Sequence, residues 1–255
     1  MRTNPSLTRR GLLWATAAPI GVAAYAQTTT VSPQFPAQPP EVAHETVLVA
    51  HGNVKRLREL VDARPSLAKA AWDWGFGDWE TALGAASHVG NREIAEYLIG
   101  KGAHPTIFSA AMLGQLEVVK AFVTAQPGVQ RIAGPHSISL LAHARAGKTA
   151  AEPVLRYLET LGDAGEPAAS PISDAEMKEL TGIYTFGPSE SDRIDISIVR
   201  GQLQFTRKAG TSRGLVHLGG KVFFPQGANA VRIRFAENTL TVHDPDPVIT
   251  AKRVS

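Results

Sequence analysis

Three short patterns and eight histidines are the places in this 255-residue chain where residue type and spacing could do chemistry. Gly210-Thr211-Ser212-Arg213-Gly214 has the glycine–x–serine–x–glycine form of a nucleophile elbow. Such an elbow exposes its serine for acyl transfer only where a strand runs into a helix over a large parallel sheet. Here Phe205 and Leu215-Val216-His217 read as neighbouring strands of a hairpin, so the glycines serve a turn. Ser66-Leu67-Ala68-Lys69 has the spacing at which a lysine assists a serine nucleophile, but no Ser-Asp-Asn or Lys-Thr-Gly partner follows it. Ala142-His143-Ala144-Arg145-Ala146-Gly147-Lys148-Thr149 is a relaxed phosphate-binding loop. A phosphate cradle needs strand, glycine-rich loop and helix N-terminus in that order, and this segment follows a helix instead. The enzyme-like motifs at Ser66, Gly147 and Ser212 are therefore coincidental on this reading. No catalytic or cofactor-binding residue is assigned, and the chain is expected not to be an enzyme.

The chain has no cysteine, which excludes a disulfide framework, a thiolate zinc site, an iron–sulfur cluster and a cysteine nucleophile. The histidines show no ligand spacing. His44 and His51, seven apart on one helical face, would stand about 10.5 Å from one another, too far to share one ion. His88, beside Gly90, reads as part of a helix–turn geometry. No metal ligand is assigned, since a site would have to be built from residues distant in sequence. Arg200, Arg207, Lys208, Arg213, Arg232 and Arg234 lie in the C-terminal third, where they either attract a small anionic ligand or form a solvated outer face.

The elements that would position these residues fall into two kinds. Between Glu41 and Leu161, Gly52, Gly90, Gly114 and Gly147 each follow a small-residue helical stretch and precede an amphipathic one, at separations of 38, 24 and 33 residues. The clearest copy runs Thr81-Ala82-Leu83-Gly84-Ala85-Ala86-Ser87-His88-Val89-Gly90, then Asn91-Arg92-Glu93-Ile94-Ala95-Glu96-Tyr97-Leu98-Ile99. The second helix of each copy carries a single apolar stripe that one copy cannot bury alone. This pattern resembles the ankyrin repeat, whose period is about 33 residues. The resemblance implies about four irregular repeats over residues 41–162 and a surface that binds protein partners without chemistry. The 38-residue spacing has gained a finger, Trp72-Asp73-Trp74-Gly75-Phe76-Gly77-Asp78-Trp79, which holds three of the four tryptophans. Trp72, Trp74, Phe76 and Trp79 are the candidate partner-binding residues, because aromatic rings bury large area at small entropic cost. The alternative is that the rings fold back and cap the N-terminal repeat.

Residues 172–255 change character. Ser173-Asp174-Ala175-Glu176 is a capping box that opens a short helix ending at Leu180. Hairpins follow: Ile194–Ile198 returns as Leu203–Thr206 through Arg200-Gly201, and Val231–Phe235 returns as Leu240–Val242 through Glu237-Asn238. Successive hairpins over this length predict a small antiparallel barrel. Leu180-Thr181-Gly182-Ile183-Tyr184, the hairpin run and the closing Ala251-Lys252-Arg253 make the segment similar to the small β-barrel appended to some serine beta-lactamase-like hydrolases. The helical repeats occupy the place where such a hydrolase would keep its catalytic domain.

The expected fold class is thus α+β multidomain, an ankyrin-type helical solenoid followed by a small antiparallel β-barrel. Residues 163–171 read as a linker, and the proline-rich residues 27–40 as an extended tether. Ahead of these, Arg9-Arg10, an apolar run from Gly11 to Ala24 and Ala24-Tyr25-Ala26 read as a cleaved signal peptide over residues 1–26. Thr8-Arg9-Arg10-Gly11-Leu12-Leu13 resembles the twin-arginine export signal, with the general secretory route as the alternative. The resemblance implies a bacterial periplasmic or secreted protein. The first 26 residues hold three of the 26 basic side chains (Arg2, Arg9 and Arg10) and none of the 23 acidic ones, so the remainder is balanced in charge. A balanced chain lacks the basic field that nucleic-acid binding needs. The expected function is an exported protein-binding module with a partner in the cell envelope and no membrane span after cleavage. The alternative is an accessory or hydrolytic protein acting on an envelope substrate or on a small anionic ligand held by the barrel.

Overall fold

The computed structural model describes residues 32–165, 169–207 and 212–255. The signal-peptide segment, residues 27–31 of the proline-rich stretch, Lys208 and the first half of the Ser212 motif lie outside the described residues. Ser32–Ala37 does not extend as expected of a tether. It folds into consecutive turns closed by Phe35 N–H to Ser32 O (2.9 Å) and Ala37 N–H to Gln34 O (2.8 Å). Proline fixes φ near the value that the second residue of a turn requires, so the same residues suit either form.

Gln38–Ser255 is one compact unit of mixed α and β structure. Its helical part consists of short helices in sequential pairs: α1 (Pro40–Val49) and α2 (Val54–Ala63), α3 (Ala82–His88) and α4 (Arg92–Gly100), α5 (Ile107–Met112) and α6 (Leu116–Ala125), α7 (Leu140–Ala146) and α8 (Glu152–Leu161). The first helix of each pair packs against the first helix of the next. Small residues allow this approach, with Ala82, Ala85, Ala86, Ala110, Ala111 and Ala144 all buried. Side-chain caps start the helices at Asn53, Thr81, Asn91, Thr106 and Ser139, each satisfying one orphan N–H.

The four glycines between paired helices do not all work the same way. Gly90 (φ 76°) and Gly114 (φ 75°) adopt the left-handed turn expected of them. Gly147 has φ −73°, and Gly52 is likewise outside the left-handed region. At Gly147 the requirement is space, because a Cβ there would lie 2.1 Å from Met112 O. Gly114 combines both constraints, since its Cβ would meet Ala150 O at 2.0 Å. Gly114→Ala is therefore expected to cost about 2 kcal/mol, left-handed strain plus a forced backbone shift, measurable by urea denaturation.

Between α2 and α3 the finger forms a short hairpin of β1 (Ala71–Asp73) and β2 (Trp79–Thr81), in register Ala71↔Thr81, Trp72↔Glu80 and Asp73↔Trp79. The tip, Trp74–Asp78, turns through left-handed Gly75, Phe76 and Gly77.

After α8, the segment expected as a linker is tied down at both described ends. Asp163 accepts hydrogen bonds from Gln130 and Arg131, Ala164 is buried, and Ser170 N–H reaches His217 O at 2.9 Å. Helix α9 (Asp174–Leu180) opens with the expected reciprocal capping box of Ser173 and Glu176. Eight strands follow as a meander: β3 (Gly182–Thr185), β4 (Arg193–Val199), β5 (Gln202–Arg207), β6 (Arg213–Gly219), β7 (Val222–Pro225), β8 (Arg232–Ala236), β9 (Thr239–His243) and β10 (Pro247–Arg253). β10 pairs with both β9 and β3, closing an antiparallel barrel in the order β10-β3-β4-β5-β6-β7-β8-β9. Alternate residues fill the interior, among them Tyr184, Ile194, Ile196, Phe205, Phe223 and Phe235, as eight strands leave room for side chains only. Among the described residues no helix is long and apolar enough to cross a membrane.

Candidate metal centre

Four donors from four separate segments meet where the finger joins the helical part. His51 follows the last turn of α1, and its Nδ1 lies 3.0 Å from Leu48 O and 3.2 Å from Val47 O. A carbonyl oxygen only accepts, so the Nδ1 facing them must carry its proton. The Nε2 of His51 is then left with a lone pair. His88 ends α3 and is nearly buried. Glu80 comes from β2, where the strand alternation turns Trp79 outward and Glu80 fully inward at 0% exposure. His136 lies in the loop between α6 and α7, at φ 58°, where its N–H and Nδ1 both meet one carboxylate, that of Asp78 (2.9 and 2.7 Å). Asp78 thus fixes the His136 ring and directs its Nε2 away, the carboxylate–histidine pairing that supports metal-bound imidazoles.

The three Nε2 atoms and the Glu80 carboxylate converge, all within 4.8 Å of one another. Nε2 of His88 is 3.2 Å from Nε2 of His51 and 2.9 Å from Glu80 Oε1. Glu80 Oε2 is 3.6 Å from His51 Nε2 and 3.4 Å from His136 Nε2. Ligand atoms held about 2.0–2.1 Å from a zinc-sized ion in a tetrahedron stand roughly 3.3 Å apart, so these separations fit such an ion. Glu80 Oε1 is buried and makes no hydrogen bond despite its closeness to His88, while Oε2 accepts one from Trp74 Nε1 at 2.8 Å. A buried, unsatisfied carboxylate oxygen facing an imidazole nitrogen is a costly arrangement that a cation between them would relieve.

The electrostatics favour positive charge at this point. Hydrogen bonds to Asp78 and then to Glu80 push the His136 imidazole up to about 9, against its burial. Burial pushes the Glu80 carboxyl up, but the neighbouring His136, His88 and His51 outweigh it and hold the group at about 2. An ion bound here would displace the His136 proton, and three neutral imidazoles with a carboxylate, without thiolate, would suit zinc or another divalent first-row ion. The centre keeps one side open, since His51 and His136, with Leu48, Trp74 and Arg213, line a recess of about 230 Å³.

No metal ligand was assigned from sequence, and the structure differs: it brings together His51, Glu80, His88 and His136. His44 takes no part and packs instead against Trp72 (ring centroids 4.6 Å apart). The four aromatic residues of the finger do not form one surface. Trp72 and Trp74 pack against the core of the first two helix pairs, and Phe76 reaches the barrel, 5.3 Å from Phe205 between ring centroids. Trp79 alone of the four faces outward, 64% exposed. Ser66 sits in an exposed 3₁₀ turn where its Oγ accepts from Gln38, and Ser212 precedes β6 with its Oγ against Thr206. Gly147 ends α7. Of the barrel cations, Arg213 is buried at 7% exposure and donates to Asp78 Oδ2 at 2.8 Å.

A scan of protein-family models finds none that matches this chain, and a search of curated proteins finds no match in sequence.

Proposed function

We propose that this chain is an exported metalloprotein that holds one divalent transition-metal ion on His51, Glu80, His88 and His136, at the junction of ankyrin-type repeats and a β-barrel. The observation that carries the reading is the convergence of three imidazole Nε2 atoms on a fully buried carboxylate whose Oε1 has no hydrogen bond. Four protein ligands fill a tetrahedron, so an ion here engages a further ligand by expanding to five-coordination on the side of the recess. Export rests on Arg9-Arg10, the apolar run after it and Ala24-Tyr25-Ala26. The repeat reading rests on the spaced glycines and the paired short helices.

The test is metal content. Protein stripped with a chelator, incubated with Zn²⁺ and dialysed should retain about one ion per chain by elemental analysis, and a His51→Ala/His88→Ala double variant should retain none. Saturating metal, at about a hundred times Kd, should also stabilise the fold by about 2.7 kcal/mol. Retention no higher than in the double variant would remove the proposal.

A second reading, an envelope protein-binding module, is supported by Trp79 and by an apolar outer face of α6 that leaves Val118 and Phe122 exposed.

A further inference from the structure

Arg213 is a buried cation with unused donors. Only its Nη1 is engaged, on Asp78 Oδ2, while Nε and Nη2 are buried without a hydrogen-bond partner. A guanidinium has five N–H donors in a planar fork shaped for a bidentate carboxylate, and leaving two of its nitrogens unsatisfied in the interior is unfavourable. Its position is equally specific. Asp78 Oδ2 accepts from both Arg213 Nη1 (2.8 Å) and His136 Nδ1 (2.7 Å), so the guanidinium stands immediately beside a ligand of the proposed ion. Arg213 lines two recesses at once. One is the open side of the metal centre, shared with His51, His136 and Trp74. The other, about 250 Å³, runs along the barrel mouth between Phe76, Phe205, Val242, Val248 and Ile249.

Charge points the same way. A divalent ion with three neutral imidazoles, Glu80, Asp78 and Arg213 leaves the buried cluster with one net positive charge, which calls for one anion. Among the described residues, the other charged side chains on the apolar recess are Arg207 and Asp244. Arg207 lies over the Phe186 ring and donates to Ser191 O through Nη2, which leaves only its Nε buried without a hydrogen bond, against two such nitrogens on Arg213. Asp244 repels an anion, which leaves Arg213, with two free nitrogens, as the group to hold a negative head.

We propose that this site takes a small monocarboxylate with an apolar body, its carboxylate held between the ion and the free edge of Arg213 and its body along Phe76 and Phe205 at the barrel mouth. The inference rests on the metal reading, and one experiment separates the two. Co²⁺-loaded protein is titrated with acetate, hexanoate and hexanol, followed by the visible cobalt spectrum and by calorimetry. The wild type should show a protein-bound cobalt spectrum that hexanoate alters and hexanol does not. Affinity should rise from acetate to hexanoate by up to about fourfold per added methylene. Arg213→Met should bind cobalt with the same starting spectrum but lose roughly ten- to a hundredfold in hexanoate affinity. Because Arg213 is buried, a second variant at an exposed position guards against a folding artefact: the neutral change Val248→Gln should weaken hexanoate more than acetate, since it alters only the apolar wall. No protein-bound cobalt spectrum would overturn the metal reading itself. A normal spectrum with no response to carboxylate, or an equal response in both variants and wild type, would overturn the carboxylate site and leave the metal standing.

Discussion

Replacing Glu80 with glutamine is expected to lower metal affinity by more than about a hundredfold. Changes to residues that merely orient a ligand already cost about 10–100-fold, and Glu80 is itself one of the proposed ligands, within 3.6 Å of all three imidazoles. Glutamine keeps the volume and can still accept from Trp74, so the packing of β1 and β2 around it has no reason to change. What disappears is one anionic ligand and half of the buried negative charge that Glu80 and Asp78 place beside the histidines. The measurement is competition for Zn²⁺ against a chromophoric chelator, with circular dichroism to show that the variant is folded. Equal affinity in variant and wild type would show that the carboxylate is not a ligand.

That site was nearly invisible in the sequence, although much of the barrel was not. Hairpins announce themselves locally. Arg200-Gly201 between two alternating runs becomes a turn with both residues at positive φ (52° and 76°), and Glu237-Asn238 links β8 to β9 in the expected place. The capping box of Ser173 and Glu176 is equally local. The four metal donors come instead from a helix end, a strand, another helix end and a loop, so no spacing along the chain relates them. A signal was nonetheless present. His51 stands one residue before Gly52, and His88 two before Gly90, so they occupy nearly the same place in successive helix pairs. Since α1 packs beside α3, equivalent helix ends become neighbours, and the two rings lie 5.0 Å apart. Asp78 and Glu80, two apart beside an outward Trp79, are the other half of the signal, because alternation on a strand puts both acids inward. His136 had no such marker. The loop that carries it reaches the finger only through tertiary contacts, with Asp78, Glu80 and Trp74.

Trp74→Ala should cost about 3 kcal/mol of stability and weaken metal binding roughly 10–100-fold at the same time. The indole lies among His44, His51 and His136, with centroids 5.2, 6.5 and 6.2 Å away, so truncation empties the space between the finger and α1. It also removes the only hydrogen bond that Glu80 accepts from a non-histidine side chain among the described residues, leaving Oε2 as poorly satisfied as Oε1. Trp74→Phe divides the two effects: the ring still fills most of the space, so stability should largely survive, while loss of the N–H should still lower metal affinity. Trp79→Ala is the contrasting control, because its ring is 64% exposed and its removal should change stability by less than about 0.5 kcal/mol. If the finger also docks a protein, Trp79→Ala is the change that weakens that docking without touching the melting temperature. Neighbouring tryptophans in one hairpin are thus expected to behave oppositely, since strand register turns Glu80 and the tip inward and leaves Trp79 outside. A Trp74→Ala protein that melts like the wild type and binds metal equally well would mean that the indole neither fills that space nor supports Glu80.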